Sequence, residues 1–241
     1  MGKVALVTGG TRGIGAAIAV ALKDAGYTVA ANYGGNDKAA TEFKAKTGIA
    51  VYKWDVGDFA ACKQGIAEVE KNLGPIEVLI NNAGITRDTM LHKMTLQQWD
   101  EVIRTDLTSV FNMCRNVIDG MRERSAGRIV NIGSINGQKG QMGQTNYSAA
   151  KSGLAGFTKA LALETSRKGI TVNCIAPGYI DTDMVAHVPE EALKGIIAQI
   201  PVGRLGTAEE IARCVVFLAD EKSGFITGAT LTANGGQYLT G

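Results

Sequence analysis

Short apolar, β-branched runs alternate along this chain with longer segments whose apolar residues recur at helical spacing. The runs Val4–Thr8, Thr28–Asn32, Ala50–Trp54, Val78–Asn81, Arg128–Ile132, Thr171–Ile175 and Ala229–Thr232 read as strands. They are nearly continuous in apolar residues, which signals burial on both faces, and strands joined through helices need right-handed crossovers. The pattern therefore predicts a doubly wound α/β Rossmann fold, with a parallel sheet of about seven strands flanked by helices. Helices are expected from Gly13 to Ala25, from Thr95 to Arg124 with Thr95 as N-cap, and from Asn146 to Lys168. No repeat, linker or low-complexity segment breaks the alternation, so residues 1–241 read as a single domain. The stretch 179–206 is longer and less periodic than a plain strand connection and is expected to form a substrate lid.

Composition narrows the class. The 241 residues are 45% hydrophobic and 20% charged, enough to bury a core without staples, and they exclude disordered, coiled-coil and membrane-spanning chains. Twenty-five basic against twenty-three acidic residues leave a formal charge of +2 with no basic run, so neither a nucleic-acid partner nor a membrane is expected. Cys62, Cys114, Cys174 and Cys214 are far apart and lie in apolar segments, which predicts buried thiols in a reducing compartment and no metal site. Met1-Gly2-Lys3 runs straight into the first strand, too short a leader for a signal peptide, so the cytoplasm is the expected location. Thirty-one glycines beside four prolines suggest many tight strand-to-helix turns.

One such turn carries chemistry. Thr8-Gly9-Gly10-Thr11-Arg12-Gly13-Ile14-Gly15 follows the first strand and opens a helix. Glycines there let the backbone turn tightly and approach a pyrophosphate, which sits on free N–H groups at the helix N-terminus. A glycine-rich turn can be merely structural, but its place directly after the first strand favours a dinucleotide. Sites that prefer NAD usually end the second strand with an acidic residue, and that place holds Tyr33. With Arg12 at the mouth of the turn, the balance favours NADPH, although Arg12 also reads as a solvated surface cation.

Tyr147 and Lys151 stand at i and i+4 on one helix face, their Cβ atoms expected about 5–6 Å apart. A cation so close favours the phenolate, each unit of pKa depression being worth about 1.4 kcal/mol. Ser134 closes the fifth strand, at the carboxyl edge where α/β sheets bind ligands. A Tyr-x-x-x-Lys pair alone is common on exposed helices. Here it is joined by Ser134, by the nucleotide turn, and by Asn81-Asn82-Ala83-Gly84, whose small residues let a nicotinamide ribose approach.

With these residues together the chain resembles the short-chain dehydrogenase/reductase family over essentially its whole length. The resemblance is carried by the Thr8-to-Gly15 turn, Asp55-Val56 after the third strand, Asn81–Gly84, Ser134, Tyr147, Lys151 and Pro177-Gly178. It implies that Gly9, Thr11, Arg12, Gly13, Ile14, Gly15 and Tyr33 meet the cofactor. It also implies that Asp55 and Val56 flank the adenine and that Asn82, Ala83 and Gly84 support the cofactor. Residues from Pro177-Gly178 onward, notably Ile180 and Thr182, are implied to hold the nicotinamide carboxamide. Ser134 would orient a substrate carbonyl, Tyr147 protonate it, and Lys151 anchor the ribose and acidify the phenol.

Within the family, Ile85-Thr86-Arg87-Asp88, Lys93-Met94-Thr95 and the run from Ile135 to Tyr147 resemble the acetoacetyl-CoA reductases of polyhydroxybutyrate synthesis. Gly224–Gly228 and Asn234-Gly235-Gly236 resemble these and the sister 3-oxoacyl-[acyl-carrier-protein] reductases. The implied reaction is NADPH-dependent reduction of an acyl-CoA thioester, acetoacetyl-CoA, to the (R)-3-hydroxyacyl product, by a homotetramer. The alternatives are the carrier-protein thioester as substrate, or a non-catalytic nucleotide-binding regulator. Candidate substrate residues are Gln138, Gln141, Gln144, Tyr179 and Asp88 near the carbonyl, with Lys93 and Arg87 towards coenzyme A phosphates; all also read as ordinary solvated loop groups. His92 and His187 read as surface or lid residues.

One departure stands out. Where the family carries an asparagine as its fourth catalytic residue, this chain has Asp106 within Arg104-Thr105-Asp106-Leu107. The resemblance implies that the asparagine acts through its backbone carbonyl, which survives the change, so a tolerated variant and an introduced one are two readings. The preferred one is a slower enzyme, because a carboxylate there is expected to compete for the Lys151 ammonium and weaken its effect on Tyr147.

Overall fold

The computed structural model describes residues 2–182 and 189–239. Its strands are β1 (Val4–Val7), β2 (Thr28–Tyr33), β3 (Ala50–Lys53), β4 (Ile76–Asn81), β5 (Gly127–Ile132), β6 (Ile170–Pro177) and β7 (Thr230–Ala233). They form one parallel sheet in the order β3-β2-β1-β4-β5-β6-β7. Every expected strand is present. The main shifts are at β4, which begins two residues early, and β6, which extends to Pro177.

The helices that bear on the site are α1 (Gly13–Asp24), α2 (Asp37–Thr47), α3 (Phe59–Leu73), α4 (Leu96–Ile103), α5 (Ser109–Arg124), α6 (Ile135–Lys139) and α7 (Thr145–Thr165). Successive strand residues point to opposite faces, and the core divides accordingly. Val4, Leu6, Leu79 and Ile129 pack against Cys62 and Ile66 of α3, Met113 and Val117 of α5, and Leu154 of α7. Ala5, Val7, Val78, Ile80 and Val130 pack against Ile18 and Leu22 of α1, Phe43 of α2 and Ile211 of the helix Ala208–Ala219. Sealing each large aliphatic side chain from water contributes about 1.5–3 kcal/mol. Strand order reverses between β1 and β4, so their carboxyl ends flank the crevice in which such sheets bind ligands.

The helix expected from Thr95 to Arg124 starts as foreseen, with Thr95 and Gln98 forming a reciprocal capping box. It is not uniform, however. Arg104–Thr108 form a π turn between α4 and α5, which places Asp106 in the interior. The helix expected to reach Lys168 finishes as a tighter 3₁₀ turn over Ser166–Lys168, followed by Gly169 at φ 65. Within 179–206, Ile180 bridges to Gly206 and Glu190–Ala198 form a helix with no buried residue. Residues 183–188 of the expected lid, His187 among them, lie outside the described residues.

Candidate active site

The turn after β1 is closed by its glycines. Gly9 and Gly13 have φ of +60 and +51, and a Cβ on Gly15 would stand 2.1 Å from the Gly9 carbonyl oxygen. Thr8 and Asn82 lock the turn to the end of β4. The Thr8 hydroxyl accepts from the N–H groups of Asn82 (2.9 Å) and Ala83 (3.0 Å), while Asn82 Nδ2 donates to the carbonyls of Thr8 (2.9 Å) and Gly9 (3.2 Å). Asn82 thus shapes the turn. At the start of α1, Arg12 offers no side-chain cap and the first turn holds no acid. A Cβ on Gly13 would meet only the Thr182 side chain, at 3.8 Å or more. An uncapped helix N-terminus with free space beside its first residue is what a dinucleotide pyrophosphate requires, so these residues fit a nicotinamide dinucleotide.

At the end of β2 the structure corrects one expectation. A carboxylate does stand there: the Tyr33 hydroxyl donates to Asp37 Oδ1 at 3.1 Å, and Lys53 Nζ donates to Asp37 Oδ2 at 2.8 Å. Lys53 first, and then Tyr33, hold the Asp37 carboxyl below its ordinary range. Its charge is therefore matched locally by Lys53, and exposed Arg12 has no acidic partner among the described residues. Asp55 is likewise engaged: Oδ1 accepts from Gly57 N–H and Oδ2 from Arg104 of the π turn, each at 2.8 Å. The Val56 carbonyl accepts from Asn112 at 3.0 Å. Neither Asp37 nor Arg104 was visible as a partner in the sequence, because each pair joins different elements.

Ser134 lies beyond β5, not within it, as the N-cap of α6, where its Oγ accepts from Asn136 N–H at 3.1 Å. Helix α6 sits tightly on α7: a Cβ on Gly137 would lie 2.6 Å from the Lys151 carbonyl carbon. Buried Asn146 fixes the start of α7 by donating to the carbonyls of Arg87 (3.2 Å) and Gln98 (3.1 Å), and it accepts from Tyr147 N–H at 2.8 Å. On the next turn Lys151 Nζ lies 5.5 Å from the centre of the Tyr147 ring and donates to the Ile132 carbonyl at 3.0 Å. It also lies 3.3 Å from Asp106 Oδ2, while Asp106 Oδ1 accepts from Ile85 N–H at 2.8 Å.

The electrostatics are less simple than the helical spacing suggests. Burial is the largest influence on the Tyr147 phenol and pushes its pKa up. Lys151 and a hydrogen bond with Ser134 pull it down, while Asp106 and Asp88 push it up. The acidifying pull of Lys151 is present, but without ligand the net direction is upward. Burial alone would depress the Lys151 ammonium; Asp106 and Tyr147 reverse this and hold it above its ordinary value. The Asp106 carboxyl is raised by its own burial, against the opposing pull of Lys151 and Ile85 N–H.

The substrate candidates divide. Gln144 donates to Asp88 Oδ2 at 2.7 Å and accepts from Asn136 Nδ2 at 2.9 Å, so it links Asp88 to α6. Gln138 turns towards β7, donating to Thr232 at 3.2 Å, and its Oε1 is buried without a partner. Gln141 and Tyr179 are half-buried, and Lys93 is exposed. Arg87 is bound to Glu101 at 2.7 Å at the surface, in keeping with its reading as an ordinary surface cation. Pro177 ends β6, Gly178 N–H donates to the Ala233 carbonyl at 2.9 Å, Ile180 is buried, and the Thr182 hydroxyl donates to the Ile180 carbonyl at 3.4 Å. A cavity of about 540 Å³ beside Gly178, Tyr179, Arg204, Cys214 and Tyr238 contains none of Ser134, Tyr147 and Lys151.

A family model described as enoyl-(acyl carrier protein) reductase matches residues 9–237. The acetoacetyl-CoA reductase of Shinella zoogloeoides is 68% identical over 240 residues, covering 99% of this chain and 100% of the relative. That of Rhizobium meliloti (strain 1021) is 67% identical over 240 residues with the same coverage. A 3-oxoacyl-[acyl-carrier-protein] reductase of Haemophilus influenzae is 44% identical over 247 residues, covering 99% of both chains.

Proposed function

We propose that this chain, which belongs to the short-chain dehydrogenase/reductase family of oxidoreductases, reduces acetoacetyl-CoA with NADPH to (R)-3-hydroxybutyryl-CoA, the precursor for polyhydroxybutyrate synthesis. The observation that carries this reading is the convergence of Ser134, Tyr147 and Lys151 beside the Gly9–Gly15 turn, in a chain 67–68% identical to proteins named acetoacetyl-CoA reductase.

When bound, the nicotinamide supplies the hydride that reaches the 3-carbon of the substrate. The protein supplies the rest. Ser134, whose oxygen already accepts from Asn136 N–H, donates its hydroxyl proton to the substrate carbonyl and fixes its direction. Tyr147 gives its phenolic proton to the oxygen as negative charge develops there, a positioned transfer worth typically about 10²–10⁴-fold. Lys151, held by the Ile132 carbonyl, stabilises the phenolate left behind and anchors the nicotinamide ribose. Asn146 and Asn136 orient the helix ends that present these groups. Gln141 faces the acyl part of the substrate, Gln144 and Asp88 shape its rim, and exposed Lys93 meets the coenzyme A phosphates; Gln138, bound to Thr232, and Tyr179, on the neighbouring cavity, would serve the substrate only from its periphery.

The preference for NADPH rests on Tyr33 in the acidic position, on Asp37 being matched by Lys53, and on unpaired Arg12. Assembly as a homotetramer accords with exposed apolar residues: Phe59 and Phe111 stack at 6.2 Å between ring centres, and Leu163 and Phe225 are open to solvent. The decisive experiment measures NADPH consumption by the purified chain with acetoacetyl-CoA and with acetoacetyl-acyl-carrier protein. A higher kcat/KM for the coenzyme A thioester supports the reading, whereas a large preference for the carrier-bound form assigns the chain to fatty acid synthesis, as the 44% identical relative's name would have it.

A further inference from the structure

We propose that Asp106 is a positioning residue for the proton donor. Its carboxylate, held by the Ile85 N–H, fixes the Lys151 ammonium and offsets its charge, so that the Tyr147 phenol keeps its proton to higher pH than it would beside the ammonium alone. This rests on the reductase reading in one respect, that Tyr147 exchanges the proton.

The geometry is specific. The π turn over Arg104–Thr108 carries Asp106 inward to a place where its side chain is 0% exposed and that of Lys151 is 5% exposed. Oδ1 is satisfied by Ile85 N–H at 2.8 Å, whereas Oδ2 has no hydrogen-bond donor and faces Lys151 Nζ at 3.3 Å. A buried ammonium and carboxylate attract each other far more strongly than they would in water, and either left alone there would be costly. An asparagine could keep the bond to Ile85 N–H, but it would turn a neutral amide towards the ammonium. Gly84 makes room for the pair: a Cβ there would lie 2.7 Å from Asp106 Oδ2.

The charges around Asp106 are few. From α7 come Lys151 and, beyond it, Tyr147. From the segment after β4 come only the backbones of Gly84 and Ile85, with Asp88 further out and acting on Tyr147. From β6 comes Cys174, whose thiol is pushed up to about 11 by burial and stays neutral beside Lys151. Arg104, on the same π turn, is bound to Asp55. Lys151 is therefore the cation that Asp106 offsets, and the ammonium's field at the phenol is reduced by the carboxylate behind it.

A consequence for direction follows. Reduction uses the protonated phenol, so its rate falls as pH rises through the pKa of Tyr147; oxidation of the alcohol uses the phenolate, so its rate rises through the same pKa. A charge that disfavours the phenolate moves both limbs to higher pH. The proton leaves the Tyr147 oxygen for the substrate alkoxide in one direction and returns in the other.

The test is Asp106→Asn, with Asp106→Ser as a second charge-free variant. Tyrosinate absorbance is titrated without cofactor or substrate, each protein being compared with its Tyr147→Phe counterpart, and pH profiles are measured for reduction of acetoacetyl-CoA and oxidation of (R)-3-hydroxybutyryl-CoA. The proposal expects the Tyr147 phenol of the parent to titrate above its ordinary 10.0, and about one unit or more lower in the variants. Both limbs then shift downward together, and oxidation between them gains about tenfold. Limbs that stay in place while rates fall uniformly, or a parental phenol that titrates below the ordinary value, would overturn it. If the parent turns over neither thioester the reductase reading fails, and the absorbance titration still decides the role of Asp106.

Discussion

Gly84 and Asp106 are in such close register that a Cβ on the glycine would lie 2.7 Å from the carboxylate Oδ2 and 3.3 Å from Lys151 Nζ. No side chain fits there without displacing the ion pair. Gly84→Ala is therefore expected to lower kcat by about 10²-fold, the usual consequence of misplacing a reacting group by an ångström, with an unchanged far-ultraviolet spectrum. Steady-state kinetics beside circular dichroism check this, and a parental kcat would show that the contact does not matter.

The proposed preference for NADPH leans on exposed Arg12, which has no acidic partner among the described residues. Arg12→Ala is expected to cut the kcat/KM preference for NADPH over NADH by about tenfold, equivalent to about 1.4 kcal/mol. Parallel kinetics with both nucleotides measure the ratio. An unchanged ratio would move the source of selectivity elsewhere, with Tyr33 the next residue to vary.

Asn146 tests whether the start of α7 is held as described. Asn146→Ala removes the fully buried amide that donates to the part-buried carbonyls of Arg87 and Gln98. Leaving them unpaired is expected to cost about 1–3 kcal/mol in urea unfolding, together with a fall in kcat as Tyr147 loses its support. A loss of stability below the fitting error would contradict this.

The thiols give a pH prediction. Burial pushes Cys62 and Cys114 up to about 12, from an ordinary value of 9.0. A pKa raised on folding contributes stability in full below the unfolded value, and that contribution is lost as pH rises towards the folded one. Stability is thus expected to decline between about pH 9 and pH 12. At pH 8 these two residues should resist alkylation in the native protein and react only after unfolding. Mass spectrometry after iodoacetamide decides, and native labelling of Cys62 or Cys114 would contradict their burial.

What the sequence disclosed followed from periodicity. Strands such as Leu79-Ile80 and Ile129-Val130 are apolar on both faces, and Gly9, Gly13 and Gly15 mark the turn, so both the sheet and the turn after its first strand were legible. The i, i+4 rule likewise set Lys151 beside Tyr147. Features that depend on one element meeting another were not legible. A regular 3.6-residue repeat through Thr95–Arg124 hides the π turn that buries Asp106. The bonds from Arg104 to Asp55, from Lys53 to Asp37 and from Gln144 to Asp88 join residues remote in sequence. The upward shift of the Tyr147 phenol comes from burial, which helical spacing does not reveal.

The most direct test removes the proton donor alone. Tyr147→Phe deletes one hydroxyl, and NADPH affinity is measured by fluorescence beside the rate of acetoacetyl-CoA reduction. The expected result is a rate lower by about 10²–10⁴-fold with nucleotide affinity retained. A variant that reduces acetoacetyl-CoA at the parental rate would contradict the account at its centre.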